Sequence, residues 1–271
     1  MPTPCVPIYR GDARPGIRES NPLKFIGLIP AAGHATRLGP ELVGSKELIP
    51  IGTPSSPARP VCEYLLLQMQ RAGIDRALIV VREDKRDIPE RIGDGRDLGL
   101  RIEYVTTGAT AGVPYTLDRA YSRIRDATVV LGFPDILVAE EDCFARLVRR
   151  YRSRPVDVLL GLFPRGDAAM DAVELDGERV CRVIPKPPAT AHAHAWGCAI
   201  WGNTFSDFLH ATLRRYDANT PPRELYVGDL LQAAVSNGIT VEGAPVSAHP
   251  FLDIGTPDGL RAARQRALPP R

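Results

Sequence analysis

FIGLIP (Phe25–Pro30) runs directly into PAAGHATRLGPELVGSKELIPI (Pro30–Ile51), and this junction decides how the chain is read. A short, continuous apolar run is what a strand buried on both faces requires. The stretch after it carries Ala31, Ala32, Gly33 and Ala35, small residues that let a ligand approach the backbone N–H groups. Arg37 and Lys46 add two fixed positive charges suited to phosphate oxygens, one a planar fork and the other a point charge. A small-residue turn with two basic side chains is also an ordinary solvated loop, so the pattern alone does not establish a site. It is neither G-x-G-x-x-G nor G-x-x-x-x-G-K-[ST], which disfavours dinucleotide-binding and P-loop readings.

Outward from this junction the chain alternates. A helical spacing follows Pro60 and stops at Gly73, and buried strands are expected at 76–81, 101–105, 127–133 and 156–163. Helical patterns lie between or after them at 87–93, 113–124 and 140–152. Such alternation predicts right-handed crossovers and a mostly parallel sheet, with ligands gathered at the carboxyl ends of the strands. The second half differs. AVELDGERVCRVI (Ala172–Ile184) reads as a hairpin around Asp-Gly, and AHAHAWGCAIWGN (Ala191–Asn203) as a strand. Helices are expected at 204–216 and 222–238, a strand at 239–247, and a helix from Thr256 as N-cap with Pro257 at N1.

Composition narrows the classes. The 271 residues fit about two domains or one large α/β unit. Hydrophobic residues at 44% and charged residues at 24% exclude wholesale disorder, collagen and coiled coil. A net charge of +2 is too balanced for a nucleic-acid binder, and no apolar run is long enough for a membrane span. The start lacks the apolar segment of a secretory signal. Cys5, Cys62, Cys143, Cys181 and Cys198 are scattered, without CxxC spacing, which argues against a disulfide framework or zinc. A cytoplasmic protein binding neither nucleic acid nor membrane is expected. There are only four lysines (Lys24, Lys46, Lys85 and Lys186) against thirty arginines, so a lysine within a polar motif is there by accident less often.

The chain resembles the sugar-1-phosphate nucleotidyltransferases, among them glucose-1-phosphate thymidylyltransferases and uridylyltransferases. Their A-G-G-x-G-T-R-L-x-P signature is matched by Ala32-Gly33-His34-Ala35-Thr36-Arg37-Leu38-Gly39-Pro40, and the following lysine segment by Ser45-Lys46-Glu47-Leu48-Ile49-Pro50-Ile51. Further blocks follow in order: LGFPDIL with Asp135, IPKPP with Lys186, WGCAIW with Gly197, PRELYVGDLL with Glu224 and FLDIGTPDGLRAA with Asp253. The resemblance implies an α/β fold with a Rossmann-like, mostly parallel central sheet of the GT-A-like nucleotidyltransferase type and an inserted sugar-binding β-rich region. Residues 1–23 are expected to be a flexible arm, 24–165 a nucleotide-binding core, and 166–271 a sugar-phosphate-binding half of the same globular unit.

The implied reaction is attack of a sugar-1-phosphate oxygen on the α-phosphorus of a nucleoside triphosphate, with release of pyrophosphate. Its difficulty is electrostatic, so positioned positive charge and a divalent ion outweigh any covalent nucleophile. By resemblance, Asp135 and Asp253 would hold Mg²⁺, Arg37 and Lys46 would act at the triphosphate, and Lys186 would grip the sugar phosphate. Ala31, Ala32, Gly33, His34, Ala35, Thr36 and Gly112 would contact the nucleotide, and Gly197 and Glu224 the sugar phosphate. Ala35 departs from the family glycine, and Pro185 stands where the family commonly has a glutamate that bonds sugar hydroxyls. Trp196 and Trp201 are read as core. A homo-oligomer is possible. A catalytically weak sugar-nucleotide-binding relative of the same fold is the alternative.

Overall fold

The computed structural model describes residues 23–33, 38–39, 44–53, 56–166, 170–187, 190–217 and 224–266. The expected N-terminal arm lies outside them but for Leu23. In chain order come β1 (Phe25–Ala31), β2 (Pro50–Thr53), β3 (Ser56–Pro60), α1 (Val61–Arg71), β4 (Arg76–Arg82), α2 (Asp87–Ile92) and β5 (Arg101–Thr107). Next are α3 (Val113–Asp118), α4 (Tyr121–Ile124), β6 (Thr128–Gly132), β7 (Ile136–Leu137), α5 (Cys143–Ser153) and β8 (Val158–Pro164). Then follow β9 (Ala172–Asp176), β10 (Arg179–Ile184), β11 (His194–Trp201), α6 (Asn203–Asp217), α7 (Val227–Ser236), β12 (Val241–Pro245), β13 (Leu252–Asp253) and α8 (Pro257–Arg266).

FIGLIP sits where its composition requires. β1 pairs in parallel with β4 on one side and β6 on the other, so Leu28 lies between Leu78 and Leu131. Alternate residues feed two cores: Phe25 and Ile29 pack with α1 and α5, while Ile26 and Leu28 pack with α3 and α6. A strand covered by helices on both faces has no polar side, which is why its run is unbroken. α1 lies close on the sheet because Gly132 has no side chain; a Cβ there would stand 2.4 Å from Leu65 Cδ1.

The mostly parallel sheet expected from alternation is corrected. Nine strands follow the order β5-β4-β1-β6-β11-β8-β12-β10-β9, and β11 runs antiparallel to both β6 and β8. β9 pairs with β11 as well as β10, so β11, β8, β12, β10 and β9 close into a five-stranded barrel. The sheet is therefore mixed: parallel in its β5-β4-β1-β6 half and largely antiparallel in the barrel. The reason is the inserted hairpin, which places β11 after a reversal rather than after a crossover helix. The helix expected at 113–124 is divided by a turn at Arg119–Ala120, with Ala120 fully buried, and both pieces pack on α6. α7 begins at Val227, so Glu224 precedes the helix instead of sitting in its first turn.

A two-stranded ribbon lies apart from the main sheet. β13 runs antiparallel to β7, pairing Leu252 with Leu137 and Asp253 with Ile136, and the Ile254 N–H donates to the Asp135 carbonyl at 2.9 Å. The helix after it starts as expected: the Thr256 hydroxyl accepts the Gly259 N–H at 3.1 Å and donates to the Asp253 carbonyl at 2.9 Å. Gly259 permits this closeness, since a Cβ there would stand 2.0 Å from the Asp253 carbonyl oxygen. Upstream, the loop before β13 is fastened by Glu140, which accepts from the Ser247 hydroxyl and the Ala248 N–H and lies 3.1 Å from His249 Nδ1. Partial burial works against the Glu140 charge, but these partners outweigh it and bring its pKa down to about 2.

Two outcomes follow. Gly259→Ala should lower stability by about 1–3 kcal/mol in denaturant titration, because backbone has to move to admit the methyl group. Glu140 has a folded pKa below its ordinary 4.5, so its stabilisation is complete above that value and is lost as pH falls towards about 2. Glu140→Gln should flatten this part of the stability–pH curve; an unaltered acid limb would show that the carboxylate is not what fastens the loop.

Candidate functional site

A cleft of about 420 Å³ opens at the carboxyl ends of β1 and β6. Ala32, Gly33, Lys46, Gly112, Asp135, Lys186, Glu224 and Asp253 all line it, together with Glu47, Asp171 and Trp196. Ala31 ends β1 with its side chain in the core, and its carbonyl accepts from Lys85 Nζ at 3.1 Å. Gly197 does not line the cleft; it faces Phe163 and Phe251, each 3.0 Å from where its Cβ would be. His34, Ala35, Thr36 and Arg37 lie outside the described residues.

The β7–β13 ribbon places Asp135 and Asp253, the two predicted metal carboxylates, on neighbouring backbone at the same cleft. Asp135 stands directly before β7 and Asp253 ends β13, on neighbouring backbone of opposite direction. One Asp253 oxygen accepts the Gly255 N–H at 2.9 Å, while Asp135 forms an ion pair with Lys46. Lys46 is largely buried. Burial alone would depress its pKa, but Asp135, Glu47 and Asp253 outweigh that and hold it above the ordinary lysine value. Among the described residues no cluster of three or more His, Cys, Asp or Glu side chains is arranged for a metal ion.

Lys46 and Glu47 are consecutive in a short 3₁₀ turn, Lys46–Leu48, and face opposite partners. Glu47 is almost completely buried and accepts from Lys85 through both oxygens, at 3.0 and 2.9 Å. Burial pushes the Glu47 carboxyl up, with Lys85 and Lys46 opposing the shift. Since Lys85 also reaches the Ala31 carbonyl, one ammonium ties the lysine turn to the end of β1. Ser45 adds a second anchor, donating its N–H and hydroxyl to the Asp87 carboxylate at 2.7 and 2.8 Å.

On another wall, Gly112 approaches the 224–226 segment. Its φ of +127° is a glycine conformation, and a Cβ would stand 2.4 Å from the Leu225 carbonyl oxygen. Nearby, the Thr110 and Thr116 hydroxyls lie 2.7 Å apart. Lys186 has φ +42°, and its Nζ stands 3.8 Å from the centre of the Tyr226 ring. Trp196 is buried as expected of a core residue, yet it lines the cleft and donates its indole N–H to Asp171 at 3.0 Å. Burial raises the Asp171 pKa, with Trp196 and the Lys186 N–H opposing.

Lys85, Glu47 and Asp171 were not expected as site residues. Lys85 had a usable signal, being one of four lysines in an arginine-rich chain, but it stands in a charged stretch without a motif. Asp171 carries no such signal; only pairing of β9 with β10 and β11 brings it to the cleft.

A family model described as "Nucleotidyl transferase" matches residues 26–268. The chain is 24% identical to a low-salt glycan biosynthesis nucleotidyltransferase of Haloferax volcanii, over 89% of this chain and 66% of that protein. It is 28% identical to a mannose-1-phosphate guanylyltransferase of Mycobacterium tuberculosis, over 83% and 60%. With a glucose-1-phosphate thymidylyltransferase of Mycolicibacterium smegmatis it shares 25% identity, over 86% and 79%. The chain thus spans under two thirds of the length of the first two relatives. A UDP-glucose pyrophosphorylase structure complexed with UDP-glucose superposes with a TM-score of 0.71 at 16% identity, over 90% of this chain and 97% of that one. Among the described residues no helix is long and apolar enough to cross a membrane.

Lys85→Met should strand the Glu47 carboxylate in the interior. The expected loss is about 3–5 kcal/mol in denaturant titration, with much of it recovered in the double variant Glu47→Gln/Lys85→Met. Equal losses in the single and double variants would mean that the ion pair is not what holds the turn.

Proposed function

The chain belongs to the nucleotidyl transferase family, and from that premise we propose that it is an enzyme joining a nucleoside triphosphate to a sugar-1-phosphate with release of pyrophosphate. The observation that carries this reading is the meeting of Asp135 and Asp253 on one ribbon, in a cleft that also holds Lys46 and Lys186. Two hard oxygen donors on adjoining backbone fit a small divalent cation such as Mg²⁺. When bound by Asp135 and Asp253, that ion would supply positive charge to the phosphate oxygens.

The remaining work falls to the chain. Ala32 and Gly33 expose backbone without bulk, so a triphosphate can approach the end of β1. An oxygen of the sugar phosphate forms a bond to the α-phosphorus, the bond from that phosphorus to the bridging oxygen breaks, and the electron pair leaves with pyrophosphate. Lys46, kept charged by its three acidic neighbours, offsets negative charge where the two polyanions meet. Lys186 is proposed to hold the sugar phosphate, and Arg37 to stabilise the departing pyrophosphate through its bidentate fork. Gly112 and the Thr110–Thr116 hydroxyl pair form the wall proposed for the nucleoside.

Pyrophosphate release in the presence of Mg²⁺, measured over a panel of nucleotides and sugar-1-phosphates, should identify at least one productive pair. Asp135→Asn and Asp253→Asn should each lower turnover by about 10²–10³-fold; Asp253→Asn should leave the thermal transition nearly unchanged, whereas Asp135→Asn, which also removes the charge paired with Lys46, should lower it. Nucleotide binding without release for any pair would select the catalytically weak relative instead. Near-native turnover in either variant would overturn the assignment of the acids.

A further inference from the structure

The β9–β10 hairpin begins and ends at the rim of the cleft. Asp171 stands directly before β9, and Lys186 follows β10 across Pro185. Ala172 pairs with both Ile184 and Ala195, so three strands converge beside Asp171. The carboxylate is held by neutral donors: Oδ1 accepts the Lys186 N–H at 3.2 Å and Oδ2 the Trp196 indole N–H at 3.0 Å. An ionised carboxylate offers about four acceptor positions, so these donors leave roughly half of them for a ligand.

The fold has made room for this acid. A Cβ at Gly228 would stand 2.4 Å from Asp171 Oδ2, so a side chain at position 228 would displace the carboxylate. The backbone at Lys186, whose N–H binds Asp171, lies in the left-handed region at φ +42°, sparsely populated by residues other than glycine. The ring of Pro185, next to the same glycine, offers no polar side-chain atom. The strongest charged neighbours of Asp171 are Lys186 and Asp229, whereas those of Lys46 are Asp135, Glu47 and Asp253. The cleft therefore has two charge neighbourhoods, and Asp171 belongs to the one with Lys186.

A carboxylate repels phosphate oxygens and accepts hydrogen bonds from hydroxyls. We propose that Asp171 is the residue that selects the sugar, accepting hydrogen bonds from hydroxyls of the sugar-1-phosphate while Lys186 beside it takes the phosphate. Trp196 acts as a positioning residue, its indole fixing one oxygen of the acid. This assignment rests on the nucleotidyl-transfer reading above. A site built to bond a hydroxyl discriminates strongly against the analogue that lacks it, because its buried acceptor is left unmatched.

The test takes the productive pair found for the unaltered protein and compares Asp171→Asn, Asp171→Ala and Trp196→Phe with it. Asp171→Asn keeps size and shape; its KM for the sugar-1-phosphate should rise about 10–100-fold while the KM for the nucleotide hardly changes. Across a series of monodeoxy sugar-1-phosphates, the discrimination shown by the unaltered protein should collapse in both Asp171 variants. Trp196→Phe should raise the same KM by a smaller factor. Unchanged discrimination in Asp171→Asn overturns the proposal, as does a parallel rise of both KM values with a lowered thermal transition, the mark of a purely structural role. Absence of pyrophosphate release from the unaltered protein with every pair is a separate result, which removes the transfer reading itself.

Discussion

Antiparallel pairing of the short strands β7 and β13 is the contact on which the rest of the site depends. It joins chain that follows the parallel half of the sheet to chain that follows the barrel, and it brings Asp135 and Asp253 onto neighbouring backbone at one cleft. Two residues per strand make a weak ribbon, so its position is fixed from outside. Glu140 holds the loop that leads into β13, Thr256 caps α8 while bonding back to Asp253, and Gly259 lets that helix start against the ribbon. Each is a local hydrogen bond or close approach, and together they replace the extended ladder that the ribbon lacks.

Placing like charges together carries an electrostatic cost, which an alternating arrangement of partners offsets. Asp135 meets Lys46, and its neighbour Glu47 meets Lys85. Consecutive residues in a 3₁₀ turn thus present opposite charges to different partners, and a single turn stabilises the acid at the cleft and braces the end of β1. Buried charges persist in proteins when paired and hydrogen-bonded in this way. The ammonium of Lys85 satisfies both conditions, bonding a carboxylate and a backbone carbonyl.

Much of this was legible in the sequence, and the parts that were not share a physical cause. FIGLIP identified an interior strand because burial on both faces leaves an unbroken apolar run, and Thr256-Pro257 marked the start of α8 because capping is local chemistry. The grouping of Lys46, Lys186, Asp135, Glu224 and Asp253 in one cleft followed the order of motif blocks. Strand direction was missed: β11 is as apolar as a parallel strand, and its reversal depends on the hairpin inserted before it. Gly197 was placed by motif, but in the fold it accommodates the Phe163 and Phe251 rings. Asp171 and Lys85 depend on contacts between segments distant in sequence, which local pattern does not encode.

The ribbon also bears on how such a molecule comes into being. Contacts between remote parts of a chain form only after the loop between them has been closed, an entropic barrier that local contacts do not meet. The parallel strands around β1 can collapse on nearby helices early, with Asp135 already at their edge. Asp253 joins it only when the barrel and the segment beyond are in place. The acid pair thus belongs to the contacts with the longest reach along the chain, the last to repay the entropy of closing their loop.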